Sequence, residues 1–135
     1  MQAFFTRERA NEGIEFPLDL PDGTPTAHRL RILGVDADKF KAAKADSKRR
    51  LLELAQKMDK AAIDAIDAEA EHLRLVATLV VGWTFPQECT PENVFNLLRE
   101  APQIAEQIDR VAARRSLFMP KDLKNSTDLP NPKLP

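Results

Sequence analysis

The chain has 135 residues, 43% hydrophobic and 30% charged, with 20 Lys and Arg against 21 Asp and Glu. That length fits one domain, and a net charge of −1 selects no polyanionic partner such as nucleic acid. The single cysteine, Cys89, excludes an internal disulfide and with it the framework of a small secreted scaffold, which points to a reducing cytoplasm.

The N-terminal segment, Met1 to Arg9, carries charges where a signal peptide needs an apolar stretch. The longest apolar run, Leu75 to Trp83, is broken by Thr78 and too short to span a bilayer. Neither secretion nor a membrane partner is expected. Ile14, Phe16, Leu18 and Leu20 then alternate with Glu15, Pro17 and Asp19, the two-residue period of a strand with one face buried. Pro17 makes it an edge strand, because proline has no N–H to donate to a ladder. Pro21-Asp22-Gly23 is turn chemistry, and His28, Leu30 and Ile32 alternate with Arg29 and Arg31 beyond it. The pattern predicts a β-hairpin from about Ile14 to Leu33, which must lie on helices or on another chain because a lone hairpin is marginal in water.

After Gly34, Asp36 is a candidate N-cap, and Phe40, Ala43, Ser47, Leu51, Leu54 and Met58 recur at helical steps. A second stripe runs through Ile63, Ile66, Ala70, Leu73, Ala77 and Val80. The five-residue step from Met58 to Ile63 swings the stripe around the axis, so two helices are expected, joined as an antiparallel hairpin. Asp59 would cap the second, with Met58 and Ile63 as a hydrophobic staple. Gly82 and Pro86 end it. Thr90 and Pro91 open a third helix with the stripe Val94, Leu97 and Leu98; Pro102 opens a fourth with Ile104, Ile108, Val111 and Ala112 inside, as far as about Leu117. Three prolines in the last six residues mark residues 120–135 as a flexible tail. The fold class is therefore α+β, mainly α: an N-terminal hairpin packed on three to four helices, in a domain of residues 1–119.

No catalytic set assembles from these residues. Cys89 as a nucleophile would need a base beside it, and neither His28 on a strand nor His72 in a helix is placed by sequence to serve. Glu69 and His72 have the i, i+3 spacing of half a di-metal carboxylate site, but the matching Glu-x-x-His is absent, and no zinc or phosphate-loop signature occurs. No enzyme activity, cofactor or metal is expected. The basic run Lys39 to Arg50 lacks interleaved aromatics, so it reads as a solvated helix face, not a nucleic-acid site. Trp83 and Phe85 read as core. Phe4 and Phe5 on the charged N-terminal arm, and Leu117-Phe118-Met119 before the tail, have no evident core partners and are the candidate partner-binding residues.

Leu79-Val80-Val81-Gly82-Trp83, then Thr90-Pro91-Glu92-Asn93, Leu97-Leu98, Pro102 and Arg114-Arg115-Ser116-Leu117-Phe118, in this order and spacing, resemble the tail assembly chaperones of long-tailed bacteriophages. The openings Phe4 to Gly13 and Leu20 to Pro25 are similar too, and the resemblance runs to about Ser126. It implies a non-enzymatic protein of the host cytoplasm, absent from the finished virion, that binds and solubilises the tape measure protein. It also implies a longer, frameshifted form whose extra domain recruits the tail tube protein. Pro132-Lys133 is compatible with a slippage site, and equally with a plain Pro-rich tail. Homo-oligomers are expected, since a sheet edge and helical grooves can both self-associate. A helical structural or adaptor component of the particle and a small nucleic-acid-binding regulator stand as alternatives.

Overall fold

The computed structural model describes residues 1–58 and 60–120. Helix α1 (Arg7–Glu12) ends at Gly13, whose φ of +83° turns the chain into strand β1 (Ile14–Asp19). Strand β1 pairs antiparallel with β2 (Pro25–Ile32), setting Ile14 opposite Ile32 and Phe16 opposite Leu30. The turn between them is held by Asp22, whose side chain accepts the Thr24 amide at 2.9 Å, and by Gly23 at φ +91°. The expected hairpin is present, with Leu18, Leu30 and Ile32 buried on its inner face. Strand β1 lies at the sheet edge, and its ladder with β2 shifts register between Pro17 and Asp19.

Helix α2 (Asp38–Gln56) follows, and Met58 breaks the run with φ +52°. The break falls where the apolar period slips, so the phase argument holds there. The second helix differs from expectation. It is divided into α3 (Lys60–Asp64) and α4 (Ala68–Ala77), and Asp67 caps α4 by accepting the amides of Glu69 and Ala70 at 3.0 and 3.1 Å. The expected cap Asp59 lies outside the described residues. Its staple partners Met58 and Ile63 are both exposed, so they bury no contact of that kind.

Helix α4 also stops earlier than the sequence suggests. Val80, taken as the last position of a helical stripe, begins strand β3 (Val80–Trp83), which pairs antiparallel with β2 and makes β2 the centre of a three-stranded sheet. The physical reason is tertiary. Leu33 donates its amide to the Leu79 carbonyl at 2.8 Å, and Thr84 to Arg29 at 3.2 Å, so β2 offers the β-branched segment a ladder that satisfies its backbone. Helix α5 (Pro91–Glu100) is capped as expected, Thr90 accepting the Asn93 amide at 3.1 Å. Helix α6 (Pro102–Ala113) buries Ala105, Ile108 and Ala112, and a 3₁₀ turn over Arg115–Phe118 closes the described chain.

The core therefore lies between the inner face of the sheet and α4, α5 and α6, with Val76, Leu79, Val94, Leu98 and Ile108 fully buried. Six helices and three strands among the described residues make the architecture α+β, mainly α. Of the expected tail, residues 120–135, only Pro120 is described, and it is half-buried; residues 121–135, including Pro132-Lys133, lie outside the described residues.

Candidate partner-binding surfaces

Two acidic side chains organise the N-terminal surface. Asp36, expected to cap α2, instead turns back to accept two bonds from Arg115, at 2.7 and 3.0 Å, and one from the Thr6 hydroxyl at 3.1 Å. The Arg115 guanidinium, aided by Thr6, holds the Asp36 carboxyl below its ordinary range against the opposing effect of partial burial. The α2 terminus is satisfied from another element: Asn11 of α1 accepts the Asp38 amide at 2.7 Å, and Arg7 holds the Asp38 carboxylate with a bidentate pair at 2.7 and 2.8 Å. A cap supplied from 27 residues upstream leaves no local sequence signal.

These bonds carry Phe4 and Phe5 onto the surface. Phe4 is 83% exposed and Phe5 more than half exposed, and with Arg7, Asp36, Lys41 and Arg115 they border an open cleft of about 590 Å³. Leu117, Phe118 and Met119 behave differently. Phe118 is 1% exposed and belongs to the core; its ring sits against Gly34, at a point where a Cβ would come within 3.2 Å of two ring carbons. Its proposed partner contact is corrected on that ground: Gly34 leaves room that only a close-packed ring fills, and the 3₁₀ turn aims Phe118 into it. Leu117 is half-buried and packed against the same core, and Met119 is half-buried.

The more extensive apolar surface is on α2 and α3, where sequence reasoning expected core. Only Phe40 and Ser47 of α2 are buried. Leu51 is 47% exposed, Leu52 55% and Met58 85%, and Ile63 is exposed beyond them. The C-terminal half of α2 and the start of α4 border a shallow groove of about 230 Å³ with Leu51, Leu54 and Ile66 along it and Arg50, Glu53, Lys57 and Glu71 at its rim. Arg50 and Glu71 pair across it at 3.6 Å. No local signal marks this surface, because the sequence pattern predicts one long second helix, and only the structure shortens α4 to 10 residues against the 19 of α2.

The candidate chemical groups stay apart. Burial pushes the Cys89 thiol up, with Lys39 pulling weakly the other way, and no hydrogen bond joins Cys89 to either histidine among the described residues. His28 lies against the Phe85 ring at 4.4 Å and meets the Thr84 hydroxyl at 3.1 Å. His72 pairs with Asp109 at 2.8 Å, not with Glu69. Among the described residues no group of three His, Cys, Asp or Glu is placed to hold a metal ion. Trp83 and Phe85 pack edge to face at 5.1 Å against the core, and the indole donates to the Gln87 carbonyl at 2.7 Å. No described helix is long and apolar enough to cross a membrane. Comparison of the chain with family models, curated proteins and solved structures finds no match.

Proposed function

We propose that this protein is a tail assembly chaperone of a long-tailed bacteriophage, which binds the tape measure protein in the host cytoplasm and keeps it soluble while the tail tube polymerises. The observation that carries the reading is the exposed apolar face of α2 and α3, Leu51, Leu52, Met58 and Ile63, beside the groove against α4. Large apolar side chains exposed along one short stretch of helix are what a partner-binding surface displays. A tape measure protein is a long helical chain, and an amphipathic helix is sheltered by laying its apolar stripe into such a groove. The order of Leu79 to Trp83, Thr90 to Asn93 and Arg114 to Phe118 supports the family assignment, and those segments form β3, the cap of α5 and the closing 3₁₀ turn. The chaperone acts by binding alone, without catalysis, metal or cofactor, and a longer frameshifted form recruits the tail tube protein.

Co-expression tests the proposal. With this protein present, an otherwise aggregating tape measure protein stays in the soluble fraction. Replacing Leu51, Leu52 and Met58 with serine removes that effect while the domain keeps its circular dichroism. A tape measure protein that precipitates equally with and without the chain refutes the reading.

A further inference from the structure

The groove, itself lined by Arg50, Glu53, Lys57 and Glu71, is flanked by a lysine-rich arc of α2. At the helical step of about 100° per residue, Leu51, Lys44, Ala55, Lys48, Lys41 and Leu52 fall within about a third of the α2 circumference. All six are exposed. No carboxylate falls within this arc: Asp46 lies on the far side of the helix, paired with Arg49 at 2.7 Å, and Glu53, which lines the groove, is approached by Arg49 at 4.0 Å. Asp38, near the α2 N-terminus, is held by Arg7. Lys48, and Lys57 on the groove rim, have no ion-pair partner among the described residues. Leu51 belongs both to this face and to the groove, so the groove and the lysine-rich arc are continuous.

We propose that the face of α2 from Lys41 to Ala55, with the groove against α4, binds an amphipathic helix whose apolar stripe is flanked by Asp and Glu. This deepens the chaperone reading by naming the chemistry of the segment held, and it rests on that reading for the choice of a helix as partner. Charge complementarity selects the acidic flank: Lys48 and Lys57 have no ion-pair partner among the described residues, Lys44 lies over the Phe40 ring at 5.6 Å and Lys41 acts on Asp36 and Asp38 without a salt bridge, so carboxylates find cations here while a basic helix would set like charges together. Arg50 at the groove is engaged by Glu71 at 3.6 Å, and the exposed rings of Phe4 and Phe5 border only the Lys41 end of the face, on the separate N-terminal cleft. That disfavours a nucleic acid, which would be gripped by forked guanidinium groups and stacking rings, and a membrane surface, where Trp and Phe anchor the apolar side. The concave groove suits separate side chains projecting from a helix.

The test uses the full chain and two labelled helical peptides with the same leucine stripe, one flanked by glutamates and one by lysines. The acidic peptide binds roughly tenfold more tightly at low salt, the sum of a few exposed charge pairs, and the advantage fades as salt rises. K44E/K48E reverses the preference towards the lysine-flanked peptide, a result that unfolding cannot produce, and L51S/L52S weakens both. Equal binding of the two peptides, or an unchanged preference in K44E/K48E, overturns the proposal. So does tighter, lysine-dependent binding to phosphatidylserine vesicles than to the acidic peptide, or self-association of the chain that K44E/K48E abolishes. No tape measure protein enters this assay, so its outcome is separable from that of the co-expression experiment.

Discussion

Gly34 is the point at which the N-terminal helix, the loop before α2 and the closing turn converge, and Gly34→Ala tests that convergence. Its amide donates to the Ala10 carbonyl at 3.1 Å, and the next amide, Val35, donates to Ala112 at 3.0 Å. A Cβ added at Gly34 would stand 2.8 Å from the Ala10 methyl and 3.2 Å from two carbons of Phe118. Carbon atoms prefer about 3.5–4.0 Å, so the methyl cannot be accommodated without moving α1 or the ring. Overpacking of this kind costs about 1–3 kcal/mol, and the reduced entropy of the unfolded chain offsets only about 0.4–1 kcal/mol of it. The packing effect wins, and the expected net loss is on the order of 1–2 kcal/mol. Urea denaturation followed by circular dichroism measures it as a lower midpoint at unchanged slope. Ala10→Gly alone costs about 1 kcal/mol as a helix substitution, but in the double variant it removes the closer clash, so the pair is less destabilised than the sum by about 1 kcal/mol. A Gly34→Ala protein as stable as the parent, or strict additivity, refutes the packing argument.

Phe118→Ala, which empties a fully buried site, is expected to cost about 3–5 kcal/mol, and Leu117→Ala at its half-buried position clearly less; denaturation curves in which the two are equal would return Phe118 to the surface. Because the Asp36 carboxyl is depressed by Arg115, its contribution to stability is fully present above the ordinary carboxylate value of about 4 and disappears as pH falls through the lower folded value. Arg115→Gln should therefore flatten the acid limb of a stability profile, and an acid limb identical to that of the parent would show that the pair is not linked to folding. Thr90→Ala removes the Asn93 cap and is expected to lower stability by about 1 kcal/mol in the same assay; no change would mean that Pro91 alone starts the helix. Leu51→Ser and Leu52→Ser, by contrast, change exposed residues and should leave the unfolding midpoint within about 0.5 kcal/mol of the parent. A large loss at either position would mark it as core and remove the proposed binding face.

Local chemistry accounts for what could be read without coordinates. The alternation of Ile14 to Leu20 set the hairpin, Thr90 and Pro91 set the start of α5, and the phase slip after Met58 marked the end of α2, because each depends on residues a few positions apart. Four features were decided by distant neighbours. Val80 and Val81 became a strand because β2 offered them an edge; Asp36 left its expected cap because Arg115 and Thr6 reached it first. Phe118 was buried because Gly34 left a space shaped for its ring. The apolar stripe of α2 was legible, but whether it faced a core or water was not. That depended on where the neighbouring helix began: α4 starts only after the Asp67 cap and meets α2 at the Arg50–Glu71 pair, which leaves Leu51, Leu52 and Met58 uncovered.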